Sequence, residues 1–324
     1  MVNMKKRALI LFILLFSSLC GSGCIRKNFN NDSIWVNEEN KIKVLATTAM
    51  IESVIKEIGR EHVQCKVLIK DPLDPHSYEL VKGDAEKISG ADLIFYNGLG
   101  LEHGLSLRKN LMVSEKAIPV CDRVVENHPE FLLFVEGSPD CHMWLDPYIW
   151  SHTIEPIVME LCKKDPKNSY DYIAAGKQYH EKLITLHQDI VAALAIIPDA
   201  RKYLVTGHDA FRYFVKRYFS ISEINDWQDR YMSPEGLSPE AQVGIHNVLK
   251  VIDYIEKFNV EVVFTESNLN DEVLSKITTF FKNKIKVRIA AQPLLADSMG
   301  GKGDYIQMMR HNIDVIVKEL TQDE

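Results

Sequence analysis

The sequence predicts an α/β protein of two lobes, each a parallel β-sheet flanked by helices, joined by one long rigid α-helix. Three observations predict it. From Lys41 onward, apolar runs of strand length alternate with helical stretches, and that alternation calls for parallel sheets with crossover helices. The length of 324 residues exceeds one ordinary core and suits two domains of roughly 100–150 residues. Between Pro166 and Pro198 there is no proline, and Leu183, Leu186, Ile190 and Leu194 keep helical spacing. A helix of about 28 residues there would be roughly 42 Å long, the length of a lobe rather than of a crossover.

The elements follow in order. Lys5, Lys6 and Arg7 precede an almost unbroken apolar run over residues 8–19. That run is too short to cross a bilayer, which takes about 20 residues, and fits a signal peptide. Gly21, Ser22 and Gly23 then lead to Cys24, which resembles the lipobox of bacterial lipoproteins, although Gly21 stands where that box usually has Leu. Bulky Leu19 makes Cys20 a poorer candidate. The expectation is a signal peptide at 1–23, a lipidated Cys24 with a polar tether over 24–40, an N-terminal lobe at 41–166, a linking helix at 167–198 and a C-terminal lobe at 199–324. In the first lobe the strands are read in KIKVLATT, CKVLI and DLIFYN; in the second, in KYLVTG, VEVVFTES and IKVRIAA. Ile51, Val54, Ile55 and Ile58 recur at helical spacing and Gly59 stands where that helix should stop. Ser238, Pro239 and Glu240 read as the start of a helix whose apolar face is Ile245, Val248, Leu249 and Ile252. Gly176 offers the alternative of breaking the linking helix into two, since glycine costs about 1 kcal/mol there.

Composition narrows the function. Hydrophobic content of 46% and charged content of 26% are those of a soluble globular protein. Net charge is -7; loss of the three cations in residues 1–23 would leave -10. Nothing suggests a nucleic-acid surface. Beyond Cys24 the cysteines are Cys65, Cys121, Cys141 and Cys162. Four allow three full pairings, and the spacing chooses none. No CxxC pair is present, which argues against a cysteine zinc knuckle.

Of the 11 histidines, three stand in informative places. His76 lies in DPLDPHSYEL after the strand CKVLI, where Pro72 and Pro75 stiffen the loop. His142 lies in DCHMWLDP, a polar loop closed by Pro147, and His208 follows KYLVTG directly. Asp297, in PLLADSMGG, lies just beyond IKVRIAA. At least three of these four follow the C-terminal end of a strand, the edge where open parallel sheets bind ligands. Two would come from each lobe and could meet between them. Three imidazoles and a carboxylate suit a first-row transition ion, whereas calcium and magnesium prefer oxygen.

DPHSYE, HMWLDP, GHDAFRYF, SPEGLSPEA and ADSMGG are similar, in the same order, to motifs of the zinc/manganese/iron solute-binding proteins of bacterial ABC importers. The resemblance runs from Lys41 to Glu319. DPHSYELVKGD, NGLGLEHG and YLVTGHDAF look most like the chlamydial metal-receptor lipoproteins of that family. The resemblance implies that His76, His142, His208 and Asp297 are the four ligands of one zinc, manganese or iron ion, carried as cargo. It implies a periplasmic or otherwise extracytoplasmic monomer, anchored to the lipid membrane, that serves a permease with its ATPase. It also implies two α/β lobes joined by one long helix. The stretch from Val124 to Cys141 holds only His128, unlike the His-rich loop of many zinc-dedicated members. His208 stands where manganese-dedicated members often have Glu. All three metals stay open.

Other features invite blander readings. His103 suits a surface or packing role. Gly98, Gly100 and Gly104 miss the GxGxxG spacing by one place and read as a turn, and GGKGD around Lys302 reads as a loop. Glu266 ends a buried-looking strand and could orient a ligand histidine from behind, or simply cap. Cys141 reads as a disulfide or buried thiol, and Asp209 as a helix cap. The competing functions are an envelope metal-dependent hydrolase, for which no HExxH or GxSxG motif is present, and a surface adhesin.

Overall fold

A computed structural model of the chain describes Trp35 and residues 41–220, 227–239, 243–282 and 284–322. The expected signal peptide, Cys24, the tether apart from Trp35, and Glu240 lie outside the described residues. Trp35 itself is packed: its indole Nε1 donates to Lys87 O at 2.9 Å.

Four strands, β1 (Ile42–Ala46), β2 (Val63–Val67), β3 (Leu93–Tyr96) and β4 (Ala117–Pro119), form one parallel sheet in the order β2-β1-β3-β4. Val44, Leu45 and Ala46 are fully buried, as a central parallel strand covered on both faces requires. Helices α1 (Ala49–Gly59), α2 (Asp84–Gly90) and α3 (Leu105–Met112) supply the crossovers. Thr48 caps α1 by accepting from Ile51 N–H, and the buried face carries Ile51, Val54, Ile55 and Ile58, as their spacing predicts. Three-residue β4 is too short to show a period in sequence. After α4 (Val120–Asn127) come a two-strand antiparallel hairpin, β5 (Phe134–Val135) with β6 (Ser138–Pro139), and helices α5 (Pro147–Trp150) and α6 (Ile154–Lys164).

The linking helix α7 runs unbroken over Ser169–Leu194, 26 residues, or about 39 Å. Gly176 does not divide it. A Cβ at Gly176 would come within 2.7 Å of Val158 Cγ2 in α6, so the glycine admits a close crossing of two helices.

The second lobe has β7 (Leu204–Val205) pairing in parallel with β8 (Tyr231–Met232), and β9 (Val262–Val263) with β10 (Arg288–Ile289). Phe264 N–H donates to Val205 O at 2.8 Å, which sets the two pairs side by side. An isolated parallel bridge between Glu266 and Leu294 extends the second pair. Helices α8 (Arg212–Tyr218), α9 (Ile245–Phe258), α10 (Glu272–Phe281) and α11 (Tyr305–Thr321) complete it. The helix start expected at Ser238–Pro239 is displaced. Gly244, extended at φ -69° and ψ 145°, opens α9 instead. Asp304 caps α11 through Gln307 N–H.

The lobes are not separate cores. One apolar cluster runs from Ile42 in β1 through Leu183 and Leu186 in α7 to Leu320 in α11. Helix α11 packs on α7 and on α1. Tyr305 N–H reaches Ser53 Oγ at 3.1 Å, and Arg217 Nε donates to Asp146 Oδ2 at 2.7 Å. The described cysteines are all free thiols.

Candidate metal centre

His76, His142, His208 and Asp297 converge. One donor atom from each lies within 4.8 Å of all the others, and all four residues are buried. Asp297 is the hub: its carboxylate is 3.6 Å from His76 Nε2, 3.6 Å from His142 Nε2 and 3.2 Å from His208 Nε2. The imidazole centroids are 5.3 Å apart for His76–His142 and His142–His208, and 6.1 Å for His76–His208.

Each side chain is aimed by its backbone. His76 follows β2 in a loop where Asp74 Oδ1 accepts His76 N–H at 2.9 Å, and His76 O accepts from His103 and Gly104 N–H. His142 is held by Asp140, whose Oδ1 accepts both His142 N–H (3.0 Å) and Nδ1–H (2.8 Å). His208 lies three residues beyond β7. Its carbonyl accepts from Tyr231 OH and Thr206 Oγ1–H, both 2.8 Å, and its N–H donates to Glu266 Oε1 at 2.9 Å. Glu266 Oε2 stands 2.6 Å from His208 Nδ1, near enough for a hydrogen bond but off its angle. The Glu266–Leu294 bridge puts Asp297 three residues past a strand pairing, level with His208.

The charge balance follows from burial and neighbours. Burial would lower the His208 imidazole, but Glu266 and Asp297 outweigh it and hold the group well above its ordinary value. Burial would raise Asp297, but His208 and then His76 outweigh it and hold the carboxyl well below its usual range. His76 is held below its ordinary value, chiefly by burial, against the pull of Asp297. Three buried atoms that face the cluster, His76 Nε2, His208 Nε2 and Asp297 Oδ1, have no hydrogen-bond partner. Unpaired buried polar atoms are costly and call for a ligand. For an ion bonded at about 2.1 Å to four corners of a tetrahedron, the corners lie about 3.4 Å apart. The separations from Asp297 bracket that value.

The other residues weighed in the sequence fall elsewhere. His103 sits beside His76, ring centroids 5.8 Å apart, with Nδ1 toward Gly100 O, outside the four-atom cluster. Gly98 and Gly100 adopt φ of 81° and 85°, the turn their spacing suggests. Asp209 pairs with Arg212 Nε at 2.7 and 2.8 Å rather than capping α8. The Cys141 thiol is free and raised well above its ordinary value by burial. Asp140, Cys141 and His142 also meet metal-like spacing. Sγ, however, is 3.8 and 3.9 Å from the two nitrogens of His142, so it lies along neither lone pair. Asp140 escaped the sequence reading; its signal was an acid two places before a candidate histidine.

A closed cluster of three imidazoles and a carboxylate, held between two α/β lobes spanned by one helix, defines a metal-binding protein of the two-lobed receptor class. A family model described as zinc-uptake complex component A, periplasmic, matches residues 44–319, and the chain belongs to that family. The metal-binding protein YtgA of Chlamydia trachomatis serovar D is 37% identical over 312 residues, 95% of each chain. The crystal structure of Fe(III)-bound YtgA from Chlamydia trachomatis matches with a TM-score of 0.83 at 38% identity, covering 87% of this chain and 98% of that one. The periplasmic zinc-binding protein TroA from Treponema pallidum matches with a TM-score of 0.78 at 27% identity, covering 87% and 100%. The manganese-binding lipoprotein MntA of Bacillus subtilis is 28% identical over 314 residues, 95% of this chain and 97% of its own. The fold and the family expected from the sequence are borne out.

Proposed function

We propose that this chain is an extracytoplasmic receptor that captures one transition-metal ion on His76, His142, His208 and Asp297 and delivers it to the permease and ATPase of an ABC importer. The observation that carries the reading is the convergence of four buried donor atoms within 4.8 Å, three of whose atoms lack any hydrogen-bond partner. Membership in a metal-uptake family supports the importer as partner. Glu266 and Asp140 orient His208 and His142 from behind. Cys24 carries the lipid anchor, and the monomer works as lobes 41–166 and 199–324 about the 167–198 segment that contains α7. The cargo is zinc, manganese or iron, metals that the relatives' names divide among them. Affinity order alone favours zinc, and metal content of protein purified without chelators identifies the cargo.

Four protein ligands leave no open position for a substrate, unlike a catalytic zinc site, so the receptor acts without turnover. Isothermal titration with zinc tests the site. His76→Ala, His142→Ala, His208→Ala and Asp297→Ala should each weaken binding at least tenfold, roughly what disturbing a metal shell costs. His103→Ala and His180→Ala should bind like the parent; equal loss in these two would show the ligand set to be wrong. Stoichiometric binding without esterase, phosphatase or peptidase activity is expected, and turnover would favour a hydrolase.

A further inference from the structure

The backbone leading into Asp297 is fixed by buried hydrogen bonds, and one of them crosses between the lobes. Asn312 in α11 accepts Leu295 N–H on Oδ1 and donates Nδ2–H to Leu295 O, both at 2.8 Å. The next residue, Ala296, offers its carbonyl to the indole Nε1–H of Trp144 at 2.8 Å. Trp144 belongs to the first lobe and stands two residues after His142. It is buried, its ring centroid is 5.1 Å from that of His142, and its own carbonyl accepts Tyr305 OH at 2.6 Å. One side chain therefore joins the backbone beside an imidazole to the backbone beside the carboxylate.

The geometry points to Trp144 as a positioning residue that sets the span between His142 and Asp297, and through it the preference of the cluster for zinc over manganese. This rests on the receptor reading above. Zinc takes short bonds to four corners, while manganese favours oxygen and a larger, six-fold shell. With its backbone pinned, Asp297 holds the 3.2–3.6 Å separations that a small tetrahedral ion needs. Freed from Ala296 O, the loop lets the carboxylate recede, which harms zinc more than an ion that accepts a wider cage.

Trp150 supplies the control. It is fully buried like Trp144, but its indole nitrogen has no hydrogen-bond partner. Phenylalanine at either position removes the same volume from the core; only at 144 does it remove the bond between lobes.

Zinc and manganese are titrated into metal-stripped parent, Trp144→Phe, Trp150→Phe and His142→Ala, and amide exchange over residues 294–299 is followed in the metal-free proteins. Trp144→Phe is expected to weaken zinc about tenfold, the lower end for an orienting partner, with a smaller loss for manganese and faster exchange over 294–299. Trp150→Phe is expected to keep the zinc-to-manganese ratio and that exchange at parental values. An unchanged ratio in Trp144→Phe, or the same shift in Trp150→Phe, overturns the proposal while leaving the receptor reading intact. Parental zinc binding by His142→Ala removes the receptor reading and the proposal with it. Should Trp144→Phe fail to fold, Tyr305→Phe removes only the hydroxyl behind Trp144. It is expected to lower the ratio in the same direction, and an unchanged ratio there overturns the proposal too.

Discussion

At the scale of single residues, the proposed site makes the proton on His208 a competitor for the cargo. Burial would lower that imidazole, but Glu266 and Asp297 outweigh it and hold it well above its ordinary value, so the empty site keeps its proton to higher pH than a free imidazole does. An ion needs the neutral ring and must displace that proton. A raised value means that the protonated form competes to higher pH than it would for a free imidazole, so affinity falls as pH drops and recovers as pH rises through the His208 value. Titrations at neutral pH in two buffers of different ionisation enthalpy should show about one proton released per ion. Glu266→Gln removes one of the two carboxylates that raise His208, so it should reduce that release and flatten the pH dependence. Equal proton release in the variant would assign the proton to another group. The four residues of the cluster were legible in sequence because each is a histidine or aspartate in a loop beyond a strand or closed by proline. Asp140 was not, because an aspartate before a Cys-His pair carries no period and no turn signal of its own.

At the scale of elements, the long helix was readable from the absence of proline and the spacing of Leu183, Leu186, Ile190 and Leu194, all buried. The doubt over Gly176 was local propensity, and packing decided it: α6 lies too close for a side chain there. Gly176→Leu should therefore destabilise the fold by about 1–3 kcal/mol through overpacking, although leucine is the better helix former. Urea unfolding measures it, and a variant as stable as the parent would mean that α6 has room to retreat. The strands of the second lobe were over-read, since only two residues of KYLVTG and two of IKVRIAA enter the pairing. Beyond the paired residues only Thr206 and Ala290 of these runs are buried, while Lys286 and Ala291 are exposed; the chain continues from these runs to His208 and Asp297. The start of α9 was misplaced because a serine-proline pair imitates a cap, while Gly244 does the work by an extended backbone.

At the scale of the whole molecule, the apolar cluster that passes from β1 through α7 to α11 limits how far the lobes can part. Arg217 on Asp146, Tyr305 on Ser53 and Tyr213 on Asp140 O add polar ties across the same junction. Wide opening would expose core residues at about 25 cal/mol per Å2 of apolar surface and break buried bonds as well. Small-angle scattering of metal-free and zinc-loaded protein should give the same radius of gyration within error, and a large contraction on loading would count against this account. A receptor that barely changes outline cannot advertise its load by closing like a jaw. Empty copies then present the importer with nearly the same silhouette as full ones and queue for the same berth. Uptake would follow the proportion of receptors that are filled, and surplus empty receptor would slow it.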